Sequence, residues 1–431
     1  MPKKVSLDTM LLRYETSVGN FTERFDPMRP LYHKACWHVL MALPLVAVIS
    51  ACNAGAGGTP SAAPRSTPAA AATPLPPVGT GYWHTNGSQI VDEANQPVRI
   101  AGINWFGFET KSFVVHGLGQ RDYRDLLKQI KSLGYNTVRL PFSDQLFWAT
   151  SVPTGISFAN GMNADLQGLN GFQILDKIVA AAGQIGLRII LDHHTVDADT
   201  QVAEWYAPDC STACFETDWQ ELATHYKGNT TVIGADLTNE PHSPACWGCG
   251  DPALDWQMEA QKVGNEILAI NPHWLIFVQG VECYQADCYW WGGNLEGVRD
   301  HPVVLNVPHQ LVYSAHDYPA DVSPLSYFSA PNYPDNLTGI WDTHWGFIAK
   351  DHLAPLWLGE FGTTLGTMKD QQWFSAIVNY LGRGVTGINW TYWALNPDSG
   401  DTGGILQNDW MTVNQNKQNY LTPIEFPLPG Q

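Results

Sequence analysis

The chain has 431 residues with 44% hydrophobic content, enough for a full core, and a formal net charge of −18. That acidity excludes the basic footprint that nucleic-acid phosphates require. Only 15% of residues are charged while 18 are tryptophan and 39 glycine, which suits an exported, loop-rich protein with a groove for a neutral ligand.

Residues 1–27 are mixed polar sequence without a clear period, and Met28 is an alternative start. Arg29, His33 and Lys34 then precede an apolar run over 39–51. The run is too short to span a bilayer and has the length of a signal-peptide core. It ends in Ile49-Ser50-Ala51-Cys52, similar to a bacterial lipobox, so Cys52 is the candidate lipidation site. An ordinary secretory signal is the alternative. A leader is thus expected over 1–52, and an extracellular or cell-surface location follows from it.

Residues 53–80 are almost wholly Ala, Gly, Pro, Ser and Thr, the composition of a disordered linker. Aromatic content and periodicity rise from Gly81, and 81–431 reads as a single domain. Short apolar runs at 98–104, 136–140, 187–191, 232–237, 275–278, 311–315, 355–359 and 387–391 read as buried strands. Helical periodicity at 122–133, 175–184, 219–226 and 256–270 separates the earlier ones. Eight such strands with helices between most of them predict a (β/α)8 barrel. A doubly wound sheet is the alternative, but no Gly-rich phosphate loop follows any strand.

Reactive side chains collect at the C-terminal ends of these runs, where barrel active sites are built. Arg139, Asp192-His193-His194, Asn239-Glu240, His316-Asp317-Tyr318, Glu360 and Trp390/Trp393 all fall there. Pro241 cannot extend a central strand, so the chain turns directly after Glu240. Two glutamates at different strand ends, each flanked by hydrogen-bonding groups, fit glycoside hydrolysis, in which one acid protonates the leaving oxygen and a second carboxylate attacks or activates water.

Six cysteines outside the leader fall in close pairs, Cys210/Cys214, Cys246/Cys249 and Cys283/Cys288. Only Cys246-Trp-Gly-Cys249 has zinc-ligand spacing, so local disulfides are expected rather than a metal, with connectivity left open. Trp105, Trp247, Trp290 and Trp291 lie past strands or in loops where a ring could stack on a sugar. Trp105 and Trp291 are taken as binding candidates, whereas Trp219, Trp256 and Trp274 are assigned to the core. His225, His273 and His352 read as structural or solvated.

Thr238-Asn-Glu-Pro241, Leu358-Gly-Glu-Phe-Gly362, the segment 136–141 with its arginine and His316-Asp-Tyr318 resemble glycoside hydrolase family 5. The segments 102–109, 239–251, 290–295 and 393–405 are similar to its bacterial endo-β-1,4-glucanases. The resemblance covers nearly all of 81–431. It implies a retaining enzyme that cuts internal β-1,4-glucosidic bonds, acts on a β-glucan as its partner, needs no cofactor or metal and works as a monomer. Glu240 would be the acid/base and Glu360 the nucleophile, with Arg139 and Tyr318 bonded to Glu360. Asn239 would hold the sugar 2-hydroxyl, His194 and His316 would line the adjoining subsite, and Trp393 would form its platform. A mannanase, xyloglucanase or exo-glucosidase on the same barrel, or a non-catalytic carbohydrate-binding lipoprotein, are the alternatives. Two positions depart from the family pattern: His193 stands where many relatives carry arginine, and Lys111 where close relatives carry a cysteine. His193 is expected to support the rim electrostatically.

Overall fold

The structure, a computed structural model, describes residues 77–428. The leader, Cys52 and most of the expected linker lie outside the described residues. Residues 77–80, read as linker from their composition, pack into the domain instead. Gly79 donates its N–H to Asp92 Oδ2 at 2.8 Å, and its carbonyl accepts from the Trp83 indole at 3.0 Å. Backbone groups can be captured by a fold whatever the local composition, which is why the boundary moved.

The first strands, β1 (His84–Asn86), β2 (Gln89–Val91) and β3 (Pro97–Val98), form a small antiparallel sheet. Its Ile90 and Val98, with Trp83, pack on Ile190, Ile233, Leu275 and Val312 near the starts of later strands. The sheet therefore closes the N-terminal mouth of the barrel. Next come β4 (Ala101–Asn104), α1 (Tyr123–Ser132), β5 (Thr137–Ser143), α2 (Gly171–Gln184) and β6 (Arg188–Thr195). They are followed by α3 (Thr212–His225), β7 (Val232–Asp236), α4 (Trp256–Ile270) and β8 (Leu275–Gln279). A hairpin, β9 (Cys283–Tyr284) and β10 (Asp287–Cys288), stands where a helix would precede β11 (Leu311–Asp317). Then α5 (Leu337–Trp341), a π-helical turn (Asp342–Gly346) and α6 (Phe347–Lys350) lead to β12 (Leu356–Phe361). α7 (Met368–Leu381), β13 (Asn389–Tyr392) and α8 (Gln415–Leu421) complete the order. Strands β4 to β8 and β11 to β13 close into one parallel barrel, the expected (β/α)8 architecture.

The expected strand at 98–104 is two strands in two sheets. The break falls at Arg99, whose buried guanidinium donates to the carbonyls of Leu381, Gly384, Ile388 and Ile424 and ties β13 and the C-terminal segment to the barrel floor. Helix starts follow their caps. Asp122 accepts from Arg124 N at 2.9 Å ahead of α1, and Asn170/Gln173 and Thr367/Asp370 form capping boxes on α2 and α7. α3 begins seven residues before its expected start, because Cys214 and Phe215 extend the buried face that Trp219 and Leu222 continue.

All three expected disulfides form, Cys210–Cys214, Cys246–Cys249 and Cys283–Cys288. Lys111 faces Asp199 at 3.7 Å on the surface. His225 pairs with Asp176, His273 stacks on Tyr82 and His352 bonds Ser88, all outside the rim. No helix among the described residues is long and apolar enough to cross a membrane.

Candidate active site

The C-terminal rim brings Glu240 and Glu360 together from two sides of the barrel. Glu360 lies within β12, and Glu240 follows β7 in the turn that Pro241 enforces. Glu240 has φ +52°, a left-handed conformation costly for a side chain of its size. Its N–H is held there by Gln279 Oε1 at 2.8 Å. A slip in register between Ala315 and His316 pairs His316 with Glu360 across β11 and β12. Bulges of this kind re-aim side chains beside active sites. His316 Nδ1 lies 3.0 Å from Glu240 Oε1 and 3.6 Å from Glu360 Oε2. One oxygen of each glutamate and that nitrogen all fall within 4.8 Å of one another. Three such atoms could also hold a cation, but the His316–Glu240 hydrogen bond already uses two of them.

Arg139 is the electrostatic centre beneath them. Fully buried, it donates through Nη1 to Glu360 Oε1 at 2.5 Å and Asn104 Oδ1 at 3.0 Å, and through Nε to Asp236 Oδ2 at 2.8 Å. Its Nη2 reaches Asn239 Oδ1 and Asp192 Oδ1, each at 2.9 Å. Because the amide oxygen of Asn239 is taken by the arginine, its NH2 must face the cleft side, where His194 Nε2 lies 3.4 Å away. Tyr318 donates its hydroxyl to Glu360 Oε2 at 2.6 Å, so both oxygens of Glu360 accept from fixed donors.

Burial sets the protonation states around this cluster. The Glu240 side chain is 17% exposed, and burial raises its pKa to about 7, so it holds a proton near neutrality. Burial lowers His316 to about 3 and also lowers His194, leaving both imidazoles neutral. Asp192 and Asp236 are both raised by burial, since one guanidinium cannot compensate three neighbouring carboxylates. A carboxyl held protonated a few ångströms from one gripped by arginine and tyrosine can give a proton to one side of a bond while the other attacks.

The remaining expected residues divide by exposure. Trp393 is half-buried in a stack with Phe106 at 5.4 Å and His194 at 5.5 Å, an aromatic wall beside the glutamates. Trp291 is 41% exposed and lies flat on His242 at 3.8 Å. Trp105 is a correction. It is 0% exposed, donates its indole N–H to the His116 carbonyl and belongs to the core, so it has no face to offer a ligand. It lies one residue past a barrel strand, as a rim residue would, but its ring is covered where the chain folds back through His116. Trp247 and Trp290 are likewise buried. His193 is buried between Thr238 Oγ1 and Asp144 Oδ2, each at 3.1 Å. Asn104, Asp236, Gln201 and Gln279 join the site without having been expected there, and Asp192, expected at its strand end, bonds Arg139. A charged residue inside an apolar strand run was the available signal for Asp236. Gln201 Nε2, 3.2 Å from Glu240 Oε2, comes from a loop that gives no such sign.

Residues 91–399 match the model of the cellulase family, glycosyl hydrolase family 5. An endoglucanase of Paenibacillus polymyxa is 47% identical over 81% of this chain and 88% of that protein. A major extracellular endoglucanase of Xanthomonas campestris pv. campestris is 41% identical over 80% of this chain and 71% of that protein. Among solved structures, a cellotetraose complex of an endocellulase from Pyrococcus horikoshii superposes with a TM-score of 0.74 at 39% identity, covering 80% of this chain and 99% of that one. The catalytic domain of the Xanthomonas enzyme gives 0.75 at 40% identity, covering 79% and 99%.

Proposed function

The chain belongs to the cellulase family, glycosyl hydrolase family 5, and from that premise we propose that it is a retaining endo-β-1,4-glucanase with Glu240 as acid/base and Glu360 as nucleophile. The observation that carries this reading is the approach of the two carboxyl groups, whose nearer oxygens lie within 4.8 Å. Retaining enzymes hold their carboxyls about 5–5.5 Å apart, whereas inverting ones leave about 6.5–9.5 Å for a water.

In the first step Glu240 gives its proton to the glycosidic oxygen as Glu360 attacks the anomeric carbon. The C–O bond breaks, the leaving chain departs with the proton, and a glycosyl ester forms on Glu360. Glu240, now a carboxylate, takes a proton from water, whose oxygen attacks the same carbon and releases Glu360. Two inversions restore the original configuration. Arg139 and Tyr318 fix Glu360 in line for attack, at no reorganisation cost during the reaction. The NH2 of Asn239 reaches the sugar 2-hydroxyl, a contact that strengthens in the transition state. Trp393 carries the sugar beside the scissile bond, His194 and His316 line that subsite, and Trp291 meets a sugar further along the cleft.

The same proposal includes a monomeric enzyme exported to the cell surface, with lipidation at Cys52. Mass spectrometry of the processed N-terminus tests the anchor; an unmodified chain cleaved elsewhere sinks that part alone. The function is tested with carboxymethylcellulose, mannan and xyloglucan, read by viscosity and reducing ends, and by NMR of the first-formed anomer. Fast viscosity loss on carboxymethylcellulose with a β-anomer product is expected. Strong mannan cleavage beside weak cellulose cleavage, or an α-anomer product, overturns it.

A further inference from the structure

A second constellation of ligating side chains lies away from the catalytic glutamates. Asp287 of β10, Glu296 in the turn after the hairpin and His344 in the π-helical turn bring one ligand atom each within 4.8 Å of one another. His344 is only 8% exposed. Its Nδ1 lies 2.8 Å from the Ile340 carbonyl, which can only accept, so Nδ1 carries a proton and Nε2 is the ring nitrogen left to face a ligand. That buried Nε2 makes no hydrogen bond and is aimed at the two carboxylates, with Asp287 Oδ2 at 3.5 Å. Among the described residues, no lysine or arginine pairs with Asp287 or Glu296; the nearby Arg299 is turned to Asp351 at 3.8 Å.

We propose that Asp287, Glu296 and His344 form a binding site for a divalent transition-type cation, of which zinc is the closest match, locking the β9–β10 hairpin to the π turn. With Nδ1 engaged by the carbonyl, Nε2 and the two carboxylates converge on one point, where a cation would make three bonds. Tetrahedral zinc with arms of about 2.0–2.2 Å spaces its ligands about 3.3–3.6 Å apart, which the 3.5 Å from His344 to Asp287 fits. The imidazole selects against calcium and magnesium, which prefer oxygen throughout. The surroundings are those of a ligand set held ready: the Ile340 carbonyl fixes the histidine tautomer, and Asn294 Nδ2 reaches Glu296 Oε1 at 3.4 Å and the Asp287 carbonyl at 3.2 Å. Tyr289 stacks on the His344 ring at 4.0 Å. Asp287 is 55% exposed at its side chain, leaving the fourth position to water.

The cation would tie down the segment that packs on the acid/base turn. Gly292, four residues before Glu296, donates to the Pro241 carbonyl at 3.2 Å, and a Cβ there would lie 3.1 Å from Glu240 Cα. Holding both ends of 287–296 therefore restricts how far Trp291 and the Glu240 turn can separate. The inference does not depend on which polysaccharide the enzyme cuts.

The full chain, untagged and stripped with EDTA, is titrated with zinc chloride by calorimetry, and its Tm is followed with and without zinc. One saturable site is expected, weakened at least about tenfold by Asp287→Asn and by Glu296→Gln and kept in Glu240→Gln. A hundredfold excess of zinc over the parent's Kd should raise the Tm of the parent by on the order of 3 °C and that of Asp287→Asn by about half as much or less. Because Asp287 and Glu296 are not core residues, these variants keep the test alive should His344→Gln fail to fold. Absence of saturable binding overturns the site. So does binding that survives Asp287→Asn but is lost in Glu240→Gln, which would place zinc between the catalytic glutamates.

Discussion

His316 stands opposite Glu360 because the β11–β12 register slips by one residue after Ala315. The ring fits there only because residue 359 has no side chain: a Cβ on Gly359 would lie 3.1 Å from His316 Nε2 and 2.8 Å from Ser314 Oγ. Gly359→Ala should therefore displace His316 by a few tenths of an ångström and disturb its bond to Glu240. We expect kcat to fall about 10-fold to 100-fold, with a stability loss of about 1–3 kcal/mol from overpacking. Steady-state kinetics on an aryl cellooligosaccharide together with Tm would check this. An unchanged kcat would show that the histidine position is not critical.

Glu240 makes a pH prediction for both rate and stability. Its donor form disappears above its pKa of about 7, so kcat/KM should decline on the alkaline side from near that value. For stability the sign follows from the raised pKa. The folded chain binds this proton more tightly than the unfolded chain, whose carboxyl titrates near 4.5. The contribution is therefore fully present below about 4.5 and lost as pH rises through 7. Asp317, fully buried beside Tyr289 and Trp373, is also raised to about 7 and acts in the same direction. Glu240→Gln should abolish most turnover, yet its Tm relative to the parent should improve between pH 4.5 and pH 8. A Tm difference that stays flat across that window would mean the acid is not held protonated by the fold.

The barrel could be read from the sequence because its strands are apolar on both faces and its helices begin at visible caps. The rim could be read because a proline after Glu240 and a polar triplet after Ala315 stop apolar runs abruptly. Asp192 and Asp236 matter through Arg139, and partnerships between strands have no linear spacing. Trp105 failed for a related reason. It follows β4 by one residue, as a rim aromatic would, and only the chain folding back through His116 decides that its ring is covered.

Three tryptophans should separate cleanly on mutation. Trp291→Ala removes a ring resting on the surface, so we expect KM on long chains to rise about 3-fold to 10-fold with Tm unchanged. Trp105→Ala leaves a cavity in the core and should cost about 3–5 kcal/mol of stability. Trp393→Ala should lower kcat/KM on short and long substrates alike, since its wall adjoins the glutamates. Melting curves and kinetics on cellooligosaccharides of two lengths make the comparison. A selective KM effect for Trp105→Ala with a normal Tm would reverse the assignment.

Asn239 offers the sharpest test of how Arg139 prepares the site. Its Oδ1 is pinned by Nη2 at 2.9 Å, which aims the amide NH2 at the cleft. Asn239→Asp keeps the size and the acceptor but replaces the donor by a second oxygen. The sugar 2-hydroxyl then loses its partner in the transition state, a contact that belongs to a set worth several kcal/mol, so kcat should fall about 100-fold to 1000-fold with a smaller change in KM. The new carboxylate also joins Asp192, Asp236 and Glu360 around one guanidinium, so Tm should drop at pH 8 more than at pH 5. A 2-deoxy substrate distinguishes the two effects, because parent and variant should hydrolyse it at similar rates if the lost donor is responsible. A persistent large difference on that substrate would assign the defect to a disturbed Arg139 instead.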